Sequence, residues 1–184
     1  MTVSSDFAAL VARFDAAVDR RFDSVRGRPG VDRVMYAASE LGDWSLIWHL
    51  VGMAQALRPG RRPESAARLA VVLGLESALV NGGVKSLFNR HRPVAEGVRP
   101  HRLRQPRTSS FPSGHASSGF TFAGVASEGD RLAPLYYGLA VIVAASRIHV
   151  KIHHASDVIA GAALGYGLSR LVRRAWPAAP GTDS

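Results

Sequence analysis

Apolar residues recur at helical spacing from the first turns of the chain. Phe7, Leu10, Val11, Phe14, Val18, Phe22 and Val25 stand three or four apart, with Asp15, Asp19, Arg20 and Asp23 between them. This predicts an amphipathic helix closed by Gly27, Pro29 and Gly30. Such a helix suits a membrane interface and the cap of a helical core equally well. Further helical stretches are expected at 31–57, 64–88, 132–146 and 156–175, with a shorter one at 114–127. Period-two alternation is nearly absent, so the predicted fold class is all-α, a helical bundle.

Crossing ~30 Å of hydrocarbon takes about 20 residues, and the longer stretches reach that only by including Glu40, Asp43, His49 or Glu76. Ala160, Gly161, Ala162, Ala163 and Gly165 crowd the last stretch with small side chains, as close helix approach inside a bilayer favours. The expected architecture is therefore about five membrane-spanning helices plus the N-terminal amphipathic helix. Residues 1–30 form that helix and its turn, 31–176 the helical core of the same single domain, and 177–184 a disordered tail. Residues 58–63 and 128–131 read as short turns.

Composition narrows the class. A chain of 184 residues suits one domain. With 47% apolar residues and a mean hydropathy of only +0.04, it is neither disordered nor uniformly apolar. The absence of cysteine removes disulfides, thiolate nucleophiles and Cys-ligated metals. Residues 1–15 hold Asp6, Arg13 and Asp15 and no long apolar run, so a secretory signal is not expected there. Lys and Arg number 23 against 14 Asp and Glu, a net charge of +9. That charge suits nucleic acid, an anionic membrane or an anionic substrate.

Distribution chooses among these. The long irregular segment 90–112 holds Arg90, Arg92, Arg99, Arg102, Arg104 and Arg107 with Pro93, Pro100 and Pro106, and three chemically loaded clusters surround it. The first runs from Lys85 to Arg92 and Pro93. On a continuous helix a seven-residue spacing turns Lys85 and Arg92 to one side, where both can grip phosphate oxygens. The second is Pro112-Ser113-Gly114-His115, in which Ser113 suits an N-cap, free N–H groups near Gly114 meet an anion, and His115 suits proton transfer. The third runs from Ser146-Arg147 through His149, His153 and His154 to Asp157. Asp157, four residues after His153, can hold one ring nitrogen and leave the other as a nucleophile. His149, His153 and Asp157 at i, i+4 and i+8 also permit a metal site, although neighbouring cations favour an anion.

Together the ordered spacing K-x6-RP, PSGH and SR-x5-H-x3-D resembles the type 2 phosphatidic acid phosphatase superfamily. Lys85, Arg92, Pro93, Pro112, Ser113, Gly114, His115, Ser146, Arg147, His153 and Asp157 occupy its signature positions. The resemblance implies an all-helical phosphohydrolase that needs neither metal nor cofactor. It assigns His153 as nucleophile, Asp157 as its orienting partner and His115 as proton donor. Lys85, Arg92, Ser113, Gly114 and Arg147 would bind substrate phosphate. The implied substrate is a membrane lipid phosphate: a phosphatidate, a phosphatidylglycerol phosphate, a polyprenyl mono- or diphosphate, or a lipid-linked sugar phosphate. A soluble acid phosphatase of the same superfamily is the alternative, and a basic helical nucleic-acid-binding protein the non-enzyme one.

Nucleic acid is thus not the expected partner, and oligomeric state is open. Arg107, His149 and His154 receive no role. Up-and-down topology brings the clusters to one face, and a modest excess of basic residues on that side predicts a cytoplasm-facing site in the cell membrane.

Overall fold

The computed structural model describes residues 3–58, 64–95, 99–101 and 103–178. Arg102, Arg61 and Arg62, and residues 179–184 of the expected tail, lie outside them. Among the described residues seven α-helices follow in chain order: α1 Val3–Asp23, α2 Pro29–Leu41, α3 Leu46–Ala56, α4 Glu64–Ser77, α5 Gly114–Ala126, α6 Ala133–His149 and α7 Ala155–Ala175. Among the described residues no strand occurs, as the missing alternation predicts.

Helix α5 is the axis. It is buried on nearly every side, which suits a helix with no charged residue along its 13 positions. Helices α4, α6 and α7 pack around it. Against α7 the backbones touch: a Cβ at Gly161 would collide with the Ser113 carbonyl, and one at Gly165 with the Ser117 carbonyl. The small-residue stripe therefore does what its composition predicts. On the other side Trp48 of α3 stacks on Phe122 of α5 at 5.1 Å, and Tyr136 of α6 meets Phe122 edge-on at 5.6 Å. At the end of the bundle away from the loop 88–113, the buried Asp130 carboxylate accepts from Gln55 Nε2, Tyr136 OH and Arg58, all at 2.8 Å.

Three expectations need correction. Pro29 does not lie in the break after α1 but opens α2 at its first turn, where its missing N–H costs nothing. The predicted helix 31–57 is broken at Gly42–Ser45, because Trp44 and Ser45 both take left-handed φ values of 56° and 58°. The stretch from Glu64 widens into a π-type turn at Ala78–Gly83 and tightens at Val84–Leu87, and Phe88 then turns extended. Arg92 is consequently not on a helix with Lys85; the loop folds back to place it.

The outer surface is apolar. Leu46, Leu50 and Met53 of α3, Val71 and Leu75 of α4, Val141 of α6 and Ile159 and Leu171 of α7 are all exposed. Exposed apolar area this extensive is the mark of a lipid-facing surface. One stretch among the described residues, Glu64–Leu87, is long and apolar enough by itself to cross a bilayer.

Candidate active site

The three sequence clusters meet in a cleft of about 480 Å³ at one end of α5. Lys85, Gly114, His115, Arg147 and His153 line it. His153 lies in the turn between α6 and α7, fixed because its own amide and that of Ile152 both donate to the Arg147 carbonyl at 3.1 Å. Its Nδ1 faces Asp157 Oδ2 at 3.7 Å, beyond hydrogen-bond length, and its Nε2 is 3.4 Å from Arg92 Nη1. Burial drives the His153 pKa down to about 3; Arg147, Arg92 and Lys85 push the same way, and Asp157 opposes them. The ring is neutral at ordinary pH.

The cations are held by carbonyls and amides rather than by carboxylates. Arg92 donates to the carbonyls of Ile152 at 3.0 Å and of Thr108 and Ser109 at 3.1 Å, which pins the long loop over the α6–α7 turn. Lys85 Nζ donates to Asn81 Oδ1 at 2.8 Å. Arg147 is almost fully buried; its Nη1 donates to the Ser39 hydroxyl, and its Nε and Nη2 have no hydrogen-bond partner. Ser113 is the N-cap of α5, its hydroxyl accepting from the Ala116 amide at 3.4 Å. It is fully buried, while Gly114 lines the cleft.

His115 Nε2 lies 3.1 Å from the Ser39 carbonyl oxygen and 3.2 Å from Asp43 Oδ1. Both neighbours are acceptors, so Nε2 carries a hydrogen. Although burial raises it, the Asp43 pKa ends below its usual value, because His115, Arg147 and Arg104 all favour the carboxylate.

Asp43, Ser39, Asn81 and Arg104 are site residues that sequence reasoning missed. Their signals were weak: Asp43 read as a charge inside a helix, whereas the Trp44–Ser45 kink turns it to His115. Arg104 reaches the cleft from the long loop and lies 4.4 Å over the Trp44 ring. Arg107 also lines the cleft. His149 does not: its Nε2 pairs with Asp32 Oδ1 at 2.8 Å, away from His153. The three-ligand metal alternative of His149, His153 and Asp157 therefore does not assemble. His154 caps α7, its amide donating to Asp157 Oδ2 at 2.9 Å.

A helical protein whose buried histidines and cations converge on one cleft has a site fit for an oxyanion such as phosphate. Residues 65–180 match the PAP2 superfamily, and the chain belongs to that family. It is 30% identical over 168 residues to decaprenylphosphoryl-5-phosphoribose phosphatase of Mycobacterium tuberculosis, covering 91% of this chain and 88% of that protein. It is 32% identical over 100 residues to the putative undecaprenyl-diphosphatase YbjG of Escherichia coli, 53% of this chain and 50% of the relative.

Among solved structures, Aquifex aeolicus LpxE superposes with a TM-score of 0.68 at 26% identity, over 86% of this chain and 94% of that one. The transmembrane PAP2 type phosphatidylglycerolphosphate phosphatase from Bacillus subtilis has the same fold, with a TM-score of 0.68 at 23% identity over 90% and 85%. The protein is a PAP2 phosphatase of lipid-linked phosphate, associated with membranes.

Proposed function

We propose that the protein hydrolyses a phosphate monoester on a polyprenyl-linked sugar by way of a phosphohistidine, without metal. The observation that carries the reading is the buried guanidinium of Arg147, whose Nε and Nη2 have no hydrogen-bond partner, beside the neutral ring of His153. Donors without acceptors are costly in a low-dielectric interior, and phosphate oxygens satisfy them. The His153 Nε2 lone pair attacks phosphorus in line, forming the N–P bond as the bond to the leaving oxygen breaks. His115, entering the step protonated at both ring nitrogens, gives that oxygen its Nδ1 proton and keeps Nε2–H on Asp43 and Ser39; Nδ1 then takes a proton from water, whose oxygen displaces His153 and releases phosphate. Asp157 steadies the positive charge that grows on His153.

Lys85, Arg92, Arg147, the Gly114 amide and the Ser113 hydroxyl bind the equatorial oxygens, where transition-state charge collects. Residues 1–176 serve as one phosphatase domain, about five helices cross the membrane, and the site faces the cytoplasm. The sugar-phosphate preference rests on the relative that matches over most of both chains; a polyprenyl diphosphate, as the name of the shorter match suggests, is the second reading.

The test is phosphate release by purified protein from a panel of phosphatidate, phosphatidylglycerol phosphate, polyprenyl phosphate, polyprenyl diphosphate, polyprenyl-linked sugar phosphate and water-soluble esters, with and without EDTA. Turnover is expected with the lipid esters, most with the sugar phosphate, unchanged by EDTA and lost in His153→Ala. Asp157→Asn is expected to fold and to lose about 100-fold or more in kcat. Activity killed by EDTA and restored by Mg²⁺ or Zn²⁺ overturns the metal-free mechanism.

A further inference from the structure

Arg90 borders not the catalytic cleft but a separate one of about 390 Å³ behind His153, shared with Asp15, Asp19, Lys151 and His154. Its guanidinium bridges two helices. Nη1 donates to Asp157 Oδ1 at 2.5 Å and to Ser156 Oγ at 2.8 Å, while Nη2 donates to Asp15 Oδ2 at 2.6 Å. Asp15, on α1, is itself buried and accepts from the Ser156 amide and hydroxyl, both at 2.8 Å.

Both oxygens of Asp157 are thereby engaged, Oδ1 by Arg90 and Oδ2 by the His154 amide at 2.9 Å. A carboxylate held at both oxygens presents one orientation to the imidazole beside it. Helix α1 is bound to the same turn a second way. Lys151 of the turn pairs with Asp19 of α1 at 3.2 Å, and Arg26, just past α1 and paired with its Asp19, donates to the Ile148 and His149 carbonyls at the end of α6 at 2.8 Å. The N-terminal helix thus braces the segment that carries His153.

We propose that Arg90, anchored by Asp15 of α1, is a positioning residue for the His153–Asp157 pair. It sets where the Asp157 carboxylate points and how much of its charge reaches the imidazole. The inference rests on His153 being the nucleophile. A guanidinium meets the two carboxylates with one rigid fork, whereas an ammonium keeps the charge but reaches them less completely.

The charged groups facing His153 are Asp157 from α7, Arg147 from α6, Arg92 from the long loop and Lys85 from the end of the α4 segment. Removing Arg90 leaves Asp157 less neutralised, so its pull on a protonated ring grows and His153 takes up a proton at higher pH.

The experiment uses the full chain in detergent micelles with dioctanoyl phosphatidate as reporter substrate. Arg90→Gln is expected to lower kcat about 10- to 100-fold, as loss of a supporting partner does, with KM within about twofold. The acid limb that His153 protonation sets, near pH 3 in wild type, is expected to move to higher pH. Arg90→Lys keeps the charge, so it is expected to return the acid limb and recover part of kcat. Asp15→Asn is expected to be slowed less, and the double variant Asp15→Asn/Arg90→Gln no slower than Arg90→Gln alone, as coupled groups behave.

A raised KM at unchanged kcat overturns the proposal by making Arg90 a substrate contact. A lowered kcat with a fixed acid limb and no recovery in Arg90→Lys overturns it by making Arg90 merely structural. His153→Ala is run alongside. If it keeps wild-type turnover the nucleophile assignment fails, a result separable from the comparison among Arg90 variants.

Discussion

At the scale of single residues, the cleft gathers cations whose hydrogen bonds go to carbonyls, an amide and a hydroxyl rather than to carboxylates. His153 shows the consequence most clearly, because its pKa of about 3 lies below the ~6.5 of an unfolded histidine. The folded state holds the ring neutral, so as pH falls through about 6.5 the unfolded chain binds the proton first. Stability from this group is complete above about pH 6.5 and is lost progressively from there down towards pH 3.

Thermal unfolding in detergent at pH 7.5 and pH 5.0 is the measurement. Wild type is expected to lose more Tm between the two than His153→Gln, which has nothing to protonate. An equal loss in both would show that His153 is not held neutral. For the same reason, an acid limb of wild-type activity above pH 5 belongs to a group other than His153.

At the scale of elements, α5 and α7 decide whether the clusters meet. Ser113 donates its amide to the Asp157 carbonyl at 3.0 Å, so the cap of one helix is tied to the first turn of the other. The contact exists because Gly161 and Gly165 bring backbone against backbone. Gly165→Val is expected to cost about 1–3 kcal/mol through overpacking, and to lower activity by parting the two helices. Gly138, on α6, has open space where a Cβ would go, and Gly138→Ala is expected to be neutral or to stabilise by up to about 1 kcal/mol. Tm and turnover measured side by side check both. A tolerated Gly165→Val would mean that the small-residue stripe does not set the spacing. The stripe was legible in the sequence as a string of Ala and Gly, whereas its partner surface, the backbone of Ser113 and Ser117, carries no signal in composition.

At the scale of the whole molecule, the cleft lies at one end of a bundle whose sides are apolar, which fits the proposed reaction at one membrane face. The proposed cytoplasmic orientation is tested in this cysteine-free chain by a single thiol. The exposed Gln105 of the long loop, between the cleft-lining Arg104 and Pro106, is the position for it. Gln105→Cys is expected to resist a membrane-impermeant maleimide in intact cells and to react once the membrane is opened. Labelling of intact cells reverses the orientation.

The sequence by itself determined the fold class, the family and the identity of the residues that converge. Helical periodicity and ordered short motifs are local properties, readable without knowing what packs where. Tertiary structure alone decided which groups surround those residues. Asp43 becomes a neighbour of His115 only because Gly42–Ser45 breaks a predicted helix, with two left-handed residues that hydropathy cannot reveal. Arg90 becomes a neighbour of Asp157 only because the long loop after Leu87 folds back onto the start of α7, across a sequence separation of 67 residues from Arg90 to Asp157. Contacts of that range follow from how helices close on one another, and a one-dimensional pattern does not encode that closure in any single stretch.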